Sequence, residues 1–168
     1  MAINLQKGQK IDIGLNKLTI GLGWDPNEGT GYDFDLDASA IMIDSNRKLV
    51  SENHFIFYNN YCGNGHGRYN PCVDCGEGKY GLIHTGDDPT GGNSATGDDE
   101  SIKIDLNKVG SEVEEILFVV TIDQFEQRKQ NFGQVRNSYI RIVDDVIGEE
   151  IAKYELGEDF SIETGVEL

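Results

Sequence analysis

Long hydrophobic runs are missing from this 168-residue sequence. No apolar stretch approaches the roughly 20 residues that a membrane-spanning helix needs. The opening MAINLQKGQKIDIG has no apolar core of the kind a secretion signal carries. The compartment expected from this is the cytoplasm, with any contact to an inner membrane peripheral and made through partners. Positive charge is scarce: 14 Lys and Arg stand against 30 Asp and Glu, for a formal net charge of −16. Such a field repels phosphate backbones and anionic lipid heads, which argues against direct nucleic-acid binding and favours cations or basic protein surfaces. Only three cysteines occur, an odd number too small for a disulfide framework in a chain without a signal. Catalytic signatures are absent too. There is no GxSxG elbow, no P-loop and no HExxH.

What is present is glycine, at 21 residues, and short apolar runs rich in Val, Ile, Phe and Tyr. These read as strands near 18–23, 34–43, 54–58, 101–106, 116–123, 138–144 and 150–156, separated by Gly/Asn/Asp turns. Two stretches, 107–115 and 123–129, read as short helices. Helical patterns do not alternate with the strands, so a parallel α/β sheet is disfavoured. The expectation is an all-β domain spanning 1–168, a two-sheet β-sandwich with one or two short helices.

The acidic residues are not spread evenly. The stretch GWDPNEGTGYDFDLDAS, 23–39, holds Asp25, Glu28, Asp33, Asp35 and Asp37 and no Lys or Arg. Alternation along the strand puts Phe34, Leu36, Ala38, Ala40 and Met42 on one face, and Asp33, Asp35 and Asp37 on the other. Carboxylates two residues apart on a strand face lie about 6.5–7 Å from one another and repel by about 2–2.5 kcal/mol at an effective dielectric near 20. A bound divalent cation relieves that repulsion, and hard oxygen donors select calcium or magnesium over zinc or copper. A second acidic stretch, HTGDDPTGGNSATGDDE (84–100), supplies Asp87, Asp88, Asp98, Asp99 and Glu100 around a glycine-rich loop. Two such loops meeting at one rim could hold one or two Ca²⁺ ions. The alternative is a solvated acidic rim with no specific ion. An EF-hand is excluded, because Ala38 stands where the loop needs glycine and the flanks read as strands.

The segments GLGWD (21–25), DFDLDASA (33–40), HTGD (84–87), GDDE (97–100), FVVTI (118–122) and NFGQVRNSYIRIVD (131–144) together resemble the TerD family of tellurite-resistance and stress proteins. The likeness runs in order along nearly the whole chain. It implies a calcium-binding β-sandwich that acts without catalysis, a scaffold or sensor with protein partners in a bacterial stress or phage-defence complex. It also implies calcium ligation by Asp25, Asp33, Asp35 and Asp37 from the first loop and by Asp87, Asp98, Asp99 and Glu100 from the second. Two other functions are weighed against this. One is a calcium-dependent adaptor for anionic lipid or sugar, with Trp24 and Tyr32 as contacts. The other is a metal-dependent hydrolase, for which His84 is the one candidate base beside the acidic loop.

The sequence departs from the family pattern twice. The pattern continues beyond ETGVEL (163–168) with further strand-forming sequence; a short member, a truncated chain and a partner that completes the sheet are the three readings, and under the last an uncovered edge strand is a point of self-association or assembly. It also has a short turn where this chain carries an insertion at 59–80, with five glycines and all three cysteines. There Cys62, His66, Cys72 and Cys75 read C-x3-H-x5-C-x2-C, which admits a structural Cys₃His zinc site. Reduced thiols, or a reversible Cys72–Cys75 disulfide, are the other readings of the same residues.

Overall fold

The period-2 patterning organises ten strands. A computed structural model describes residues 2–70, 75–76, 78–92 and 97–167. The strands are β1 (Ile3–Asn4), β2 (Lys17–Gly23), β3 (Leu36–Ile43), β4 (Phe55–Ile56), β5 (Leu82–His84), β6 (Glu100–Asp105), β7 (Glu115–Ile122), β8 (Tyr139–Asp144), β9 (Glu149–Glu155) and β10 (Gly165–Glu167). A six-stranded sheet has the order β1-β9-β8-β2-β6-β5, and a four-stranded sheet has the order β10-β7-β3-β4. Every pairing is antiparallel except β1 with β9.

The core follows from the alternation. Leu18, Ile20 and Leu22 of β2 face inward with Ile102 and Ile104 of β6 and Ile140 of β8. From the other sheet, Leu36, Ala38, Ala40 and Met42 of β3 meet them, with Val120 and Ile122 of β7. Two sheets packed through such faces are a sandwich, as expected. Each core Leu or Ile contributes about 1.5–3 kcal/mol by leaving water. Outward-facing β2 residues are small where another element crosses them: a Cβ at Gly21 would strike the Asp98 carboxylate.

Several expected boundaries change. β3 begins at Leu36 rather than Phe34, because the Phe34 carbonyl accepts the Trp24 indole N–H at 2.9 Å. The strand expected over 54–58 shrinks to two residues, since the chain turns back at once through paired Phe57 and Asn60 backbone bonds. β5, β1 and β10 were too short to show a period. Of the helix expected over 107–115, only a 3-10 turn at Leu106–Lys108 forms, capped by the Asp105 carboxylate accepting from Asn107 N–H. The helix expected at 123–129 is α1 (Phe125–Arg128), and a second four-residue helix, α2 (Leu156–Asp159), replaces the end of the last expected strand. No helix among the described residues is long and apolar enough to cross a membrane.

Candidate metal centre

The site grows out of a gap in the smaller sheet. β4 pairs with β3 only at Ala40 and Ile41, so the first half of β3 has no strand neighbour on that side. Glu100, at the start of β6 in the other sheet, fills the gap. Its Oε2 accepts the Ala38 N–H at 2.8 Å, and its Oε1 accepts the Asp88 N–H at 3.2 Å. Glu100 is only 1 % exposed. A carboxylate that deep persists because backbone donors are aimed at it. His84 lies against it, with Nε2 3.3 Å from Oε2. The His84 Nδ1 accepts the Gly86 N–H, which leaves Nε2 as the proton-bearing nitrogen of the neutral ring.

Asp37, Asp87 and Glu100 converge here. One carboxylate oxygen of each lies within 4.8 Å of the other two. Asp37 is buried, and the Asp87 side chain is 3 % exposed. The two Asp87 oxygens accept no hydrogen bond. Arg68 of the insertion comes within 2.9 Å of Asp87 Oδ2, an ion-pair distance, but its N–H groups are not aimed at that oxygen. A buried carboxylate that accepts no hydrogen bond is costly, and the ion pair with Arg68 offsets only part of that cost.

Electrostatics agree with the geometry. Burial, followed by repulsion from Glu100 and Asp35, pushes the Asp37 carboxyl up to about 8. Burial and then Asp123 push Asp35 up to about 6. Burial also raises Asp87, against the lowering effect of Arg68. Asp123, at the end of β7 and opposite the start of β3, belongs to this acidic group, although motif reading passed over it. Arg128 of α1 stands near both, 3.4 Å from Asp123 Oδ2 and 3.9 Å from Asp35 Oδ2. Asp37 and Asp123 line a cleft of about 600 Å³ with Tyr58 and Thr121, which reaches the cluster at Asp37 alone. The sequence holds no local signal for Asp123, because only the register of β7 against β3 brings it beside Asp35.

The other expected ligands lie elsewhere. Asp98 forms a two-pronged ion pair with Arg141 on the outer face of the larger sheet, Nε–Oδ1 and Nη2–Oδ2 both 2.8 Å, and accepts the Tyr139 hydroxyl at 3.0 Å. Asp99 accepts the Trp24 backbone N–H at 2.8 Å. Asp88 folds its own loop, its Oδ1 accepting from Thr90 and Gly91 N–H groups. Asp25 accepts from Asn137, and Glu28 pairs with Arg136. Asp33 is exposed, and its backbone carbonyl accepts from the Gln130 side chain. Trp24, a contact residue in the adaptor reading and otherwise a core residue, is buried at 3 % exposure, and a Cβ on Gly91 would meet its indole.

In the insertion, the structure bonds Cys62 to Cys75. This takes Cys75 from the alternative Cys72–Cys75 pair, and it corrects the reading of Cys62 and Cys75 as reduced thiols. It also withdraws Cys62 and Cys75 from zinc in this form, since a disulfide sulfur has no thiolate to offer. The physical reason is a small hairpin: Tyr61 N–H donates to the His66 carbonyl and Arg68 N–H to the Tyr58 carbonyl. The returning chain, through Lys79 N–H to the Cys62 carbonyl, brings Cys75 alongside. His66 Nδ1 is buried without a hydrogen-bond partner, and Cys72 lies outside the described residues.

Comparison with known proteins gives one consistent result. The family model described as TerD domain matches residues 1–168. General stress protein 16U of Bacillus subtilis (strain 168) is 44% identical over 172 residues, covering 99% of this chain and 81% of that protein. The tellurium resistance protein TerD of Serratia marcescens is 42% identical over 171 residues, again covering 99% and 81%. Among solved structures, a homologue of telluride resistance protein (TerD) from Streptomyces coelicolor A3(2) aligns with a TM-score of 0.69 at 14% identity, covering 92% of this chain and 79% of that one. At that identity the structural likeness speaks to the fold.

Proposed function

The chain belongs to the TerD domain family of stress and tellurium-resistance proteins, and from that premise we propose that it works by binding calcium without catalysing a reaction. The observation that carries the proposal is the convergence of Asp37, Asp87 and Glu100, with neither Asp87 oxygen accepting a hydrogen bond. The donor set is all oxygen, anionic and partly open to solvent through the adjoining cleft, which suits a hard cation of flexible coordination. Asp37, Asp87 and Glu100 would hold the ion, and Asp35 and Asp123 would add to the field that attracts it. The cation supplies charge neutralisation. The chain's own residues position it: the Ala38 and Asp88 amides fix the Glu100 carboxylate, and His84 backs it.

A catalytic reading has less support. His84 is fully buried between Tyr61 and Glu100, where no substrate reaches it. The lipid or sugar adaptor loses Trp24 to the core and retains Tyr32, which is exposed. The role we favour is a calcium-dependent scaffold or sensor that engages protein partners in a stress or phage-defence complex, with the sheet edges open to assembly. Calorimetric titration with Ca²⁺ is the direct test. Binding that is lost in both Asp37→Asn and Glu100→Gln supports the site, whereas absence of binding, or binding indifferent to both changes, overturns it. Calcium-dependent co-purification of partners tests the scaffold role.

A further inference from the structure

We propose that the cysteine insertion is a tethered competitor for the cation: Arg68 occupies the approach to Asp87, and the Cys62–Cys75 bond sets how firmly it is held there. The inference rests on the calcium reading of the same cluster.

The geometry has three parts. Arg68 Nη1 stands 2.9 Å from Asp87 Oδ2, so the guanidinium already occupies one side of the carboxylate that a divalent ion would use. Its field reaches further into the cluster, lowering both Asp87 and Asp35 against the other influences on them. The hairpin carrying Arg68 is also wired to the back of the site. The Tyr61 carbonyl accepts the His84 N–H, and the Tyr61 ring stacks on the His84 ring that backs Glu100. Backbone bonds from Tyr61, Arg68 and Lys79 fix the base of this hairpin. The disulfide adds a covalent tie to it, joining Cys62, which is fully buried, to the more exposed Cys75.

An arginine differs from a permanent ligand in what it leaves open. Its N–H groups are not aligned on Asp87, so it screens the charge without satisfying the oxygens. A divalent cation does both, and to do so it must displace the guanidinium or bear its repulsion. Opening the bond loosens the tether. A dithiol reductant supplies the two electrons. Its thiolate attacks Cys75 Sγ, the S–S bond breaks, and Cys62 leaves as a thiolate that takes up a proton. The reductant's second thiolate then attacks its own sulfur in the mixed disulfide and expels the Cys75 thiolate, which is protonated in turn. The products are two protein thiols and the oxidised reductant.

The experiment is a calorimetric Ca²⁺ titration of four samples: wild type and Arg68→Gln, each air-oxidised and dithiol-reduced. Peptide mapping verifies the Cys62–Cys75 crosslink in the oxidised forms. Arg68→Gln should bind Ca²⁺ about tenfold more tightly than oxidised wild type, the expected scale for removing one nearby positive charge. Reduction should tighten wild type severalfold and leave Arg68→Gln nearly unchanged. A merely structural Arg68 predicts the opposite: a lower melting temperature with no gain in affinity. Equal affinities in all four samples, an equal response to reduction with and without Arg68, or a mapped crosslink that omits Cys62 or Cys75 would each overturn the proposal. Absence of Ca²⁺ binding in every sample sinks the calcium reading as well, so the two failures are distinguishable. A Cys62→Ser/Cys75→Ser variant whose melting curve matches reduced wild type gives a second route to the same comparison.

Discussion

Asp98 and Glu100 are two residues apart in one GDDE segment, yet the fold treats them as opposites. Asp98 lies on the outer face of the larger sheet, gripped by both prongs of Arg141 and by the Tyr139 hydroxyl. Glu100 points into the gap beside β3, where its neighbours are Asp37 and Asp87, and Arg68 approaches Asp87 from the insertion. The outer carboxylate is neutralised by the protein itself. The inner three carry an excess of negative charge that the protein has not matched. A run of acids therefore says little by itself; what matters is which of them the fold supplies with a fixed cation.

The largest expected effect separates the two places directly. Calcium at about a hundred times its dissociation constant should stabilise wild type by roughly 2.7 kcal/mol. For a domain of this size that raises the melting temperature by about 5–10 °C. Asp37→Asn should abolish this response. It should also stabilise the calcium-free protein at pH 8, because it removes one of the crowded charges. Differential scanning fluorimetry with and without calcium reads both signs. A calcium-free Asp37→Asn protein less stable than wild type would mean that the cluster is not electrostatically strained.

Asp98→Asn should do the reverse. Losing the bidentate partner of Arg141 leaves the partly buried guanidinium with Glu150 at 3.4 Å as its charged neighbour and should cost about 1–2 kcal/mol. The calcium-induced shift should survive intact. If Asp98→Asn instead removes calcium binding, the division between outer and inner carboxylates is wrong.

A third test uses pH. Asp37 is held up to about 8 and Asp35 to about 6, both well above the ordinary 3.8. The folded protein therefore keeps protons that the unfolded chain releases near pH 4. The stability these groups contribute to the calcium-free protein is full below about pH 4 and is lost as pH rises through 6 and then 8. Calcium must displace those protons, so its affinity should rise between pH 6 and pH 8, by up to about tenfold per pH unit for each proton released. Glu100→Gln and Asp98→Asn titrations over the same interval sharpen the contrast: only the Asp98 variant should keep the slope.

How much of this was readable from the sequence depends on range. The strand faces were readable, since the period of Phe34, Leu36, Ala38 and Ala40 is local and the buried set matches it. The sandwich followed from the strands and from the order of six family segments. The partition of the acids was not readable. It depends on Arg141 lying opposite Gly21 in β2 and on β4 stopping after two residues, and both are consequences of register between distant strands. Asp123 was hidden for the same reason. The Cys62–Cys75 pairing was obscured by the more familiar C-x2-C spacing, which takes no account of the hairpin that folds Cys62 back.

The smallest effect is expected where charge was most conspicuous in the sequence. Asp25 and Asp33 stand in the acidic stretch 23–39, from which calcium ligands were expected. Asp25 is a hydrogen-bond acceptor for Asn137, and Asp33 is exposed. At the surface, a charge several ångströms from an ion is screened by water and salt, and its contribution is a fraction of a kcal/mol. Asp25→Asn and Asp33→Asn should each shift calcium affinity by less than about threefold, with the shift shrinking further as salt is raised. A loss of tenfold or more in either variant, persisting in high salt, would mean that the first loop closes over the ion when it binds, drawing in ligands that stand apart in the structure described here. In that event the contrast between inner and outer carboxylates would describe only the calcium-free protein.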